Sequence, residues 1–495
     1  MSVIPVVRPN RRRFARAGGH FIWIAGLAAV LAGVTYKVGV LPALLALAGL
    51  LALPLLLNNS RAAFGIWITV IVIAENTADW NISAFDKLYA KTPAYFPITF
   101  LLLLLAAGAV LLDALRPERK ARLPEFFVPA LVLVTIAMLF GFATAALGPG
   151  IARFSVLGAV EDFGSLLLPP LILVNAIRTT GELRRLVGYL AALTVLKSAA
   201  GIVAVVGGFT KAEIGLGRLS YLAPAINWME MVYLLAVIAA PLSGTRLPRW
   251  MLWSAPLVLA SFVLGQRRSF WLAAALVVML AVIIASRRTT RRLLLPAVGL
   301  TAVIVYLAAA TGLTGPVQGA LIARATSITP TQVTTNEQDR YRLAELHNVW
   351  PAIKRQPLEG LGIGVPWPER SPLPFEFPFN HYFTHFAVLY WWMTCGLMGL
   401  AAYVLLMGTT IVAGLRLWWR ARAPFERLTA LTLGLGTVGL VVVELTTTIV
   451  PADPRGTAVF ATSIGILAVI HQLARESPSE LSPPQLAGGI VDRQG

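Results

Sequence analysis

Cysteine and charged residues are both scarce in this sequence. Cys395 is the only cysteine and lies inside an apolar run, which excludes disulfides, thiolate metal sites and redox pairs. Only 13% of the residues are charged, whereas about 25% is usual in soluble domains. No repeat with a period of a few tens of residues is visible. The composition therefore excludes an ordinary soluble protein.

Long apolar runs dominate the chain instead. Hydrophobic residues make up 57% of it, and a helix needs about 20 such residues in succession to cross a bilayer. The sequence therefore predicts an all-α polytopic membrane protein with about 12–14 transmembrane helices. The predicted spans lie near residues 20–36, 38–57, 62–75, 96–113, 125–147, 164–177, 186–207, 225–243, 250–265, 270–286, 293–312, 386–415, 428–449 and 457–473.

Basic residues outnumber acidic residues by 41 to 23, and they gather in alternate connections between the predicted spans. Clusters near residues 8–16, 116–122, 287–292 and 416–427 all fall on one side of the membrane. This positive-inside pattern predicts that both termini are cytoplasmic and that the longest polar stretch lies on the far side. Because the charge is spread over many short segments, no basic domain is left to bind nucleic acid.

The spans and polar stretches divide the chain into five predicted regions. The first apolar segment lacks a small-residue cleavage site after the basic tail, so we expect a retained span and not a signal peptide. The regions are a basic cytoplasmic tail (1–19), transmembrane helices 1–11 (20–312), an outer polar loop (313–385), transmembrane helices 12–14 (386–473) and a disordered cytoplasmic tail (474–495).

The outer loop contains one predicted helix, over residues 336–354. Its apolar residues follow the spacing of a half-buried surface helix; they are Leu343, Leu346, Val349, Trp350 and Ile353. Arg340 and Arg342 lie in its first turns, on neighbouring faces. After the helix, Pro357 precedes a turn with three alternate glycines, Gly360 to Gly364. Such a turn lets the backbone approach another group closely, but by itself it is a weak phosphate-binding signal.

Two histidines near the end of the loop are candidates for chemistry. His381 and His385 are four residues apart and would share one face of a helix, which could indicate a metal site. Without a clear third ligand they make a poor zinc site, and a single histidine at a membrane interface is more often structural than catalytic. We therefore expect no metal.

Arginines and a lysine occur in or beside the membrane. Arg267 and Arg268 form an outer turn between two spans, where they either extend to lipid headgroups or bind an anion. Two outer arginine sites, at Arg268 and Arg342, would suit a lipid pyrophosphate, because guanidinium groups bind phosphate oxygens bidentately. We interpret Lys197, which lies mid-span, as a charge with an internal partner.

Three pieces of the sequence together resemble the O-antigen ligase and O-antigen polymerase superfamily of bacterial inner-membrane glycosyltransferases. They are the turn Arg267-Arg-Ser269, Arg342 fifteen residues before Pro357-Leu-Glu-Gly-Leu-Gly, and a histidine eleven residues before a Gly-x-x-Gly pair. The resemblance covers about residues 260–410. Arg267 stands where the family customarily has serine.

The histidine spacing selects His385, because the pair that lies eleven residues further on is Gly396 and Gly399. The residue after His385 is Phe386, where the family usually has Asn, Ser or Gln. His381 follows Asn380 and remains a reserve candidate.

The resemblance implies a GT-C-like fold and transfer of a glycan from an undecaprenyl pyrophosphate carrier to an acceptor hydroxyl on the periplasmic face. It implies no cofactor, no metal and no nucleotide sugar. His385, Arg268 and Arg342 would be catalytic, with Arg268, Arg342, Arg267 and Arg340 binding the pyrophosphate. The acceptor would be lipid A-core or a growing glycan.

Two alternatives remain at this point. A polymerase of lipid-linked repeat units would share the same motifs as a ligase. A transporter or flippase of an anionic lipid or solute would also need outer arginines and many spans, but it should show two related halves, and no such internal symmetry is visible. Asp453 and Arg455, in the last outer turn, either line an acceptor groove or pair with each other.

Overall fold

The computed structural model describes residues 53–73, 98–116, 121–148, 153–206, 224–265, 267–285, 337–375 and 380–476. Within these ranges all regular secondary structure is helical. The predicted spans near 20–36 and 293–312, most of the span near 38–57, both terminal tails and residues 313–336 of the polar loop lie outside the described residues.

Eight of the described helices are long and apolar enough to cross a membrane, which confirms an all-α polytopic membrane protein. Three shorter apolar helices accompany them: Ser60–Ile73, Ile98–Ala114 and Arg249–Leu264. In chain order the helices are α1 (Ser60–Ile73), α2 (Ile98–Ala114), α3 (Val128–Leu147), α4 (Arg153–Ala176), α5 (Thr180–Val206), α6 (Pro224–Ser243), α7 (Arg249–Leu264), α8 (Arg268–Ala285), α9 (Glu337–Arg355), α10 (Ala387–Arg420), α11 (Pro424–Glu444) and α12 (Pro454–Glu476).

Several helices differ from their predicted bounds, α4 and α10 among them. The sequence predicts a span near 164–177, whereas α4 already begins at Arg153. It predicts another near 386–415, whereas α10 continues to Arg420 and contains a break at Gly396, where φ is 63°. Hydropathy cannot reveal this break, because the helix is apolar on both sides of it.

The centre of the bundle is formed by α11 and α12, each with 78% of its span buried, against 28% for α8. α10 packs closely on α11 where two glycines meet: a Cβ on Gly414 would lie 2.5 Å from the Cα of Gly434. Small residues allow helices to approach in this way in a bilayer, where packing replaces the hydrophobic effect between helices. α10 therefore rests on one of the two most buried spans among the described helices.

Ionisable side chains inside the spans have polar partners. The Lys197 ammonium donates to the backbone carbonyl of Ile73 at 3.0 Å. Glu230 accepts hydrogen bonds from Ser198 at 2.7 Å and from Asn227 at 3.0 Å. Such partners offset the large penalty of a buried charge, and the Lys197 contact fits its interpretation as an internally paired residue.

Candidate active site

α9 provides most of the polar side chains at the site, and its observed bounds lie within one residue of the predicted helix. The predicted buried face is partly wrong, because Leu343 and Trp350 are 46% and 38% exposed. Glu345 and Asn348 are buried instead. The reason is that both find hydrogen-bond donors in adjacent loops; the Asn348 carbonyl oxygen, for example, accepts two backbone N–H groups of the loop after α9.

Glu345 holds His385 and the residue before it. One carboxylate oxygen accepts the backbone N–H of His385 at 2.8 Å and the hydroxyl of Thr384 at 3.2 Å. The other oxygen lies 3.2 Å from Nδ1 of the His385 ring. The Glu345 side chain is completely buried, while that of His385 is 25% exposed. One carboxylate thus fixes both the backbone and the ring of the histidine.

This contact determines how the imidazole can act. A carboxylate only accepts hydrogen bonds, so the Nδ1 atom of a neutral His385 carries the proton and Nε2 carries the lone pair. A histidine oriented in this way by a carboxylate can take a proton at Nε2, and the carboxylate then stabilises the imidazolium. The arrangement therefore suits a general base.

Aromatic rings surround the His385 imidazole. Phe383 and Tyr341 contact it edge-on, with ring centroids at 5.1 Å and 5.6 Å. Phe375 stacks on Tyr341 at 4.8 Å. Burial, together with the charges of Glu345 and Glu369, raises the pKa of Tyr341, so this phenol stays neutral.

Arg268 and Arg342 meet at a shared carboxylate. Asp339 accepts a hydrogen bond from Arg268 at 3.1 Å with one oxygen and from Arg342 at 3.2 Å with the other. Burial lowers the pKa of Arg342, and the Arg268 charge adds to this effect while Asp339 opposes it. A guanidinium nevertheless remains charged. Two guanidinium groups that converge on one carboxylate can together bind a phosphate group.

α9 joins the two groups. Asp339, Arg342 and Glu345 follow each other at intervals of three residues, so each is a surface neighbour of the next. This spacing of acid, arginine and acid is the signal that could have identified Asp339 and Glu345 from the sequence. Both were missed, because acidic residues are scattered throughout the loop.

His381 lies in a different environment. Its Nε2 atom is 3.8 Å from a carboxylate oxygen of Glu369, and its ring packs on Trp367 at 4.7 Å. The predicted shared helix face is wrong, because only a short 3-10 turn, Asn380–Tyr382, precedes α10 and residues 383–386 are not helical. Within the described part of the chain, no three His, Cys, Asp or Glu side chains are grouped to hold a metal.

The glycine turn after α9 fits into the break in α10. In a regular helix the N–H of Leu397 would donate to the carbonyl of Met393. Here the N–H of Leu361 donates to that carbonyl at 2.6 Å, and Leu397 donates to the carbonyl of Leu358 at 3.2 Å. Gly360 lies against the break: a Cβ added to it would be 2.6 Å from the Gly396 nitrogen. The close backbone approach that the glycine turn predicts is therefore made to α10, a membrane helix.

Residues 253–404 match a protein-family model described as O-antigen ligase. This part of the chain is similar to the O-antigen ligase family. The matched residues include Arg268, Arg342, His385 and the glycine turn, so the resemblance inferred from the sequence is confirmed. The match supports a function of the O-antigen ligase or polymerase type in general. A search of curated proteins gives no match.

Two other arginines of the matched region occupy different positions. Arg267 immediately precedes α8, and its carbonyl accepts the N–H groups of Phe270 and Trp271. Arg340 is exposed on α9, outside the group formed by Asp339 and its two arginines. Their expected contact with pyrophosphate stays a prediction.

The connection between α11 and α12 contacts the segment that carries His385. Glu444 accepts the backbone N–H of Val450 at 2.7 Å, and Val450 accepts the indole N–H of Trp391 at 3.0 Å. The Thr448 hydroxyl donates to the carbonyl of Thr384 at 2.6 Å. His385 is therefore held between α9 and this connection. In the same connection Asp453 and Arg455 pair with each other at 3.4 Å.

Proposed function

We propose that the protein transfers a glycan from an undecaprenyl pyrophosphate-linked donor to an acceptor sugar hydroxyl on the periplasmic face of a bacterial inner membrane. The acceptor is lipid A-core, so the reaction completes a lipopolysaccharide. The observation that carries the proposal is the arrangement on α9 within the region similar to the O-antigen ligase family. This helix presents Glu345 to His385 and Asp339 to both Arg268 and Arg342.

His385 is the general base in this proposal. The acceptor hydroxyl oxygen attacks the anomeric carbon of the donor while its proton passes to Nε2, the nitrogen that faces away from Glu345. The Glu345 carboxylate stabilises the imidazolium that forms. Imidazole suits this role because its ordinary pKa lies close to neutral pH.

Arg268 and Arg342 stabilise the leaving group. The bond between the anomeric carbon and the pyrophosphate oxygen breaks, and its electron pair departs with undecaprenyl pyrophosphate. Fixed guanidinium groups stabilise this developing charge, which is commonly the largest contribution to catalysis. Attack from the face opposite the leaving group inverts the anomeric centre, and the scheme needs no metal.

The distribution of arginines supports a periplasmic position for the site. In the short connections between spans, exposed cations gather at the end of the bundle opposite His385, and the positive-inside rule places such an end in the cytoplasm. They are Arg184, Arg185, Arg249, Arg420 and Arg422.

The proposal is tested by reconstituting the purified chain in liposomes with an undecaprenyl pyrophosphate-linked glycan and a lipid A-core acceptor. Wild-type protein should transfer the glycan, and His385→Ala, Arg268→Ala and Arg342→Ala should each abolish transfer at a normal protein level. Full activity in any variant would remove that residue from the mechanism.

A deletion strain separates the ligase from the polymerase. Loss of a ligase leaves intact repeat chains on the carrier lipid, and loss of a polymerase leaves single repeats. Unchanged surface glycans would contradict both activities.

A further inference from the structure

A cavity of about 530 Å³ lies in the half of the bundle away from His385. It is enclosed by α5, α6, α11 and α12 and by the connection between α6 and α7. The two ends of α11 locate the cavity. Pro424, at the start of this helix, lines the cavity, whereas the connection after the other end of α11 donates a hydrogen bond to Thr384. The 21 residues of α11 span about 30 Å. The cavity is therefore separate from the proposed active site.

The lining is mostly apolar, with aliphatic residues such as Val232, Leu433 and Ile466 away from the mouth. The hydroxyls of Thr194, Thr432 and Ser463 also line it, and each donates to a backbone carbonyl of its own helix. Among the described lining residues, only Arg184 and Arg246 are charged. The volume falls within the range of about 300–1,000 Å³ that is typical of ligand sites. The cavity can therefore accept an aliphatic chain that ends in a negatively charged group.

The mouth is held in place by contacts with α11. The guanidinium of Arg184 lies 5.4 Å from the centre of the Phe425 ring. The hydroxyl of Thr245, next to Arg246, donates to the carbonyl of Pro424 at 3.1 Å. Both arginines are exposed, so they can reach a headgroup at the membrane surface.

Nearby carboxylates do not neutralise these arginines. Glu182 pairs with Arg61, and Glu426 accepts a hydrogen bond from Thr180 at 2.7 Å. Among the described residues, neither Arg184 nor Arg246 forms an ion pair with a carboxylate. The positive charge at the mouth is thus available to an anion.

We propose that this cavity binds an anionic phospholipid of the surrounding bilayer, with an acyl chain inside it and the lipid phosphate between Arg184 and Arg246. The positive mouth selects an anionic over a zwitterionic headgroup. The site does not depend on the proposed glycan transfer. The donor pyrophosphate is assigned to Arg268 and Arg342, near the opposite end of the bundle.

Native mass spectrometry of the purified full chain in detergent tests the headgroup contact, with phosphatidylglycerol and phosphatidylethanolamine as probes. Wild-type protein should bind phosphatidylglycerol more tightly. The double variant Arg184→Gln with Arg246→Gln should weaken that binding about tenfold or more, because each arginine near a headgroup gives a several-fold gain. The matched control is Arg185→Gln with Arg249→Gln, since both residues are exposed and lie outside the lining.

A second variant tests the acyl chain without changing charge. Gly188 lines the cavity, and a Cβ added there meets no atom within 4 Å. Gly188→Leu should therefore fill the cavity and weaken phosphatidylglycerol binding. This variant tests the cavity as the lipid site even if the arginine variant fails to fold. Gly408→Leu is the control, because Gly408 also has open space but lies outside the lining.

Four results would overturn the proposal. Equal binding of the two lipids by wild-type protein would mean that any lipid fills the cavity. If either test variant binds phosphatidylglycerol as tightly as the wild type, the cavity is not the site. The same conclusion follows if a control variant loses as much affinity as its test variant. Displacement of phosphatidylglycerol by undecaprenyl phosphate, dependent on the same two arginines, would assign the cavity to the carrier lipid.

Discussion

Glu345 is completely buried although it lies on a polar helix. Its two oxygens face three donors from consecutive residues: the Thr384 hydroxyl, the backbone N–H of His385 and the ring of His385. A buried carboxylate is stable only with such partners. Because the same contacts orient the base of the proposed reaction, Glu345 is a positioning residue that acts through His385.

Glu345→Gln should lower kcat about 10²- to 10⁴-fold, the usual contribution of an oriented general base. The acceptor KM should change little, because His385 still occupies its position while the charge that stabilises its protonated form is lost. Glu345→Asp should restore part of the rate. Steady-state transfer assays measure both constants.

Glu369→Gln is the matched control for this prediction, since Glu369 pairs with His381 and not with His385. It should retain nearly normal kcat. If Glu345→Gln is as active as the wild type, or if the control loses as much activity, His385 is not the base that Glu345 positions.

Arg342→Lys should raise the donor KM by roughly tenfold or more, since a charge-assisted hydrogen bond contributes about 1.5–3 kcal/mol. Lysine keeps the charge but loses the planar fork that binds phosphate oxygens and Asp339 together. Titration of the donor in the transfer assay gives the KM.

The control substitution is Arg355→Lys, at an exposed position in the last turn of the same helix. It should leave the donor KM unchanged. An unaltered donor KM in Arg342→Lys would remove this residue from the pyrophosphate site.

α10 is two helices joined at Gly396, and the turn after α9 occupies the join. Backbone hydrogen bonds from the turn pair with the Met393 carbonyl and the Leu397 N–H. Without the turn, the break would leave these two groups unpaired within the membrane region. The same hydrogen bonds also fix the end of α9 relative to the start of α10. The contact between Glu345 and His385 joins these two elements. The glycine turn therefore keeps the two side chains within hydrogen-bonding distance.

Gly396→Ala should therefore destabilise the protein by about 2 kcal/mol or more. The substitution places a Cβ about 2.0 Å from the Leu358 carbonyl oxygen, at a backbone φ of 63° that side chains rarely adopt. Thermal unfolding of the purified protein in detergent should show a lower midpoint, with loss of transfer.

Gly408→Ala in the same helix provides the comparison, because its added Cβ meets open space. We expect it to be neutral or stabilising by up to about 1 kcal/mol. Equal midpoints for the two variants would show that the turn does not hold the break in α10.

The sequence predicts the helical class and the bounds of α9, because hydropathy and periodicity are properties of the chain alone. The roles of His385, Arg268 and Arg342 rest on the family resemblance and stay predictions. The sequence does not predict Asp339 and Glu345 as partners. Their carboxylates acquire a role only when α9 packs against α8 and the segment before α10. The break in α10 was also missed, since it changes hydrogen bonding and not hydropathy.

The scarcity of cysteine allows a direct test of orientation across the membrane. Cys395 is buried, so single cysteines introduced elsewhere report their own exposure. Leu358 is 64% exposed on the glycine turn, and Arg422 is exposed in the connection between α10 and α11. Leu358 contacts Leu397, and the 24 residues of α10 from Leu397 to Arg420 extend over about 36 Å, more than the roughly 30 Å of a bilayer core. These two positions therefore lie on opposite sides of a bilayer.

In intact spheroplasts, a membrane-impermeant maleimide should label Leu358→Cys at once and Arg422→Cys only after permeabilisation. The reason is that the arginine-rich end stays in the cytoplasm under the positive-inside rule, which leaves the α9 side in the periplasm. The unsubstituted protein should remain unlabelled in both conditions. Labelling in the reverse order would place His385 in the cytoplasm, where a glycan presented on the periplasmic leaflet could not reach it.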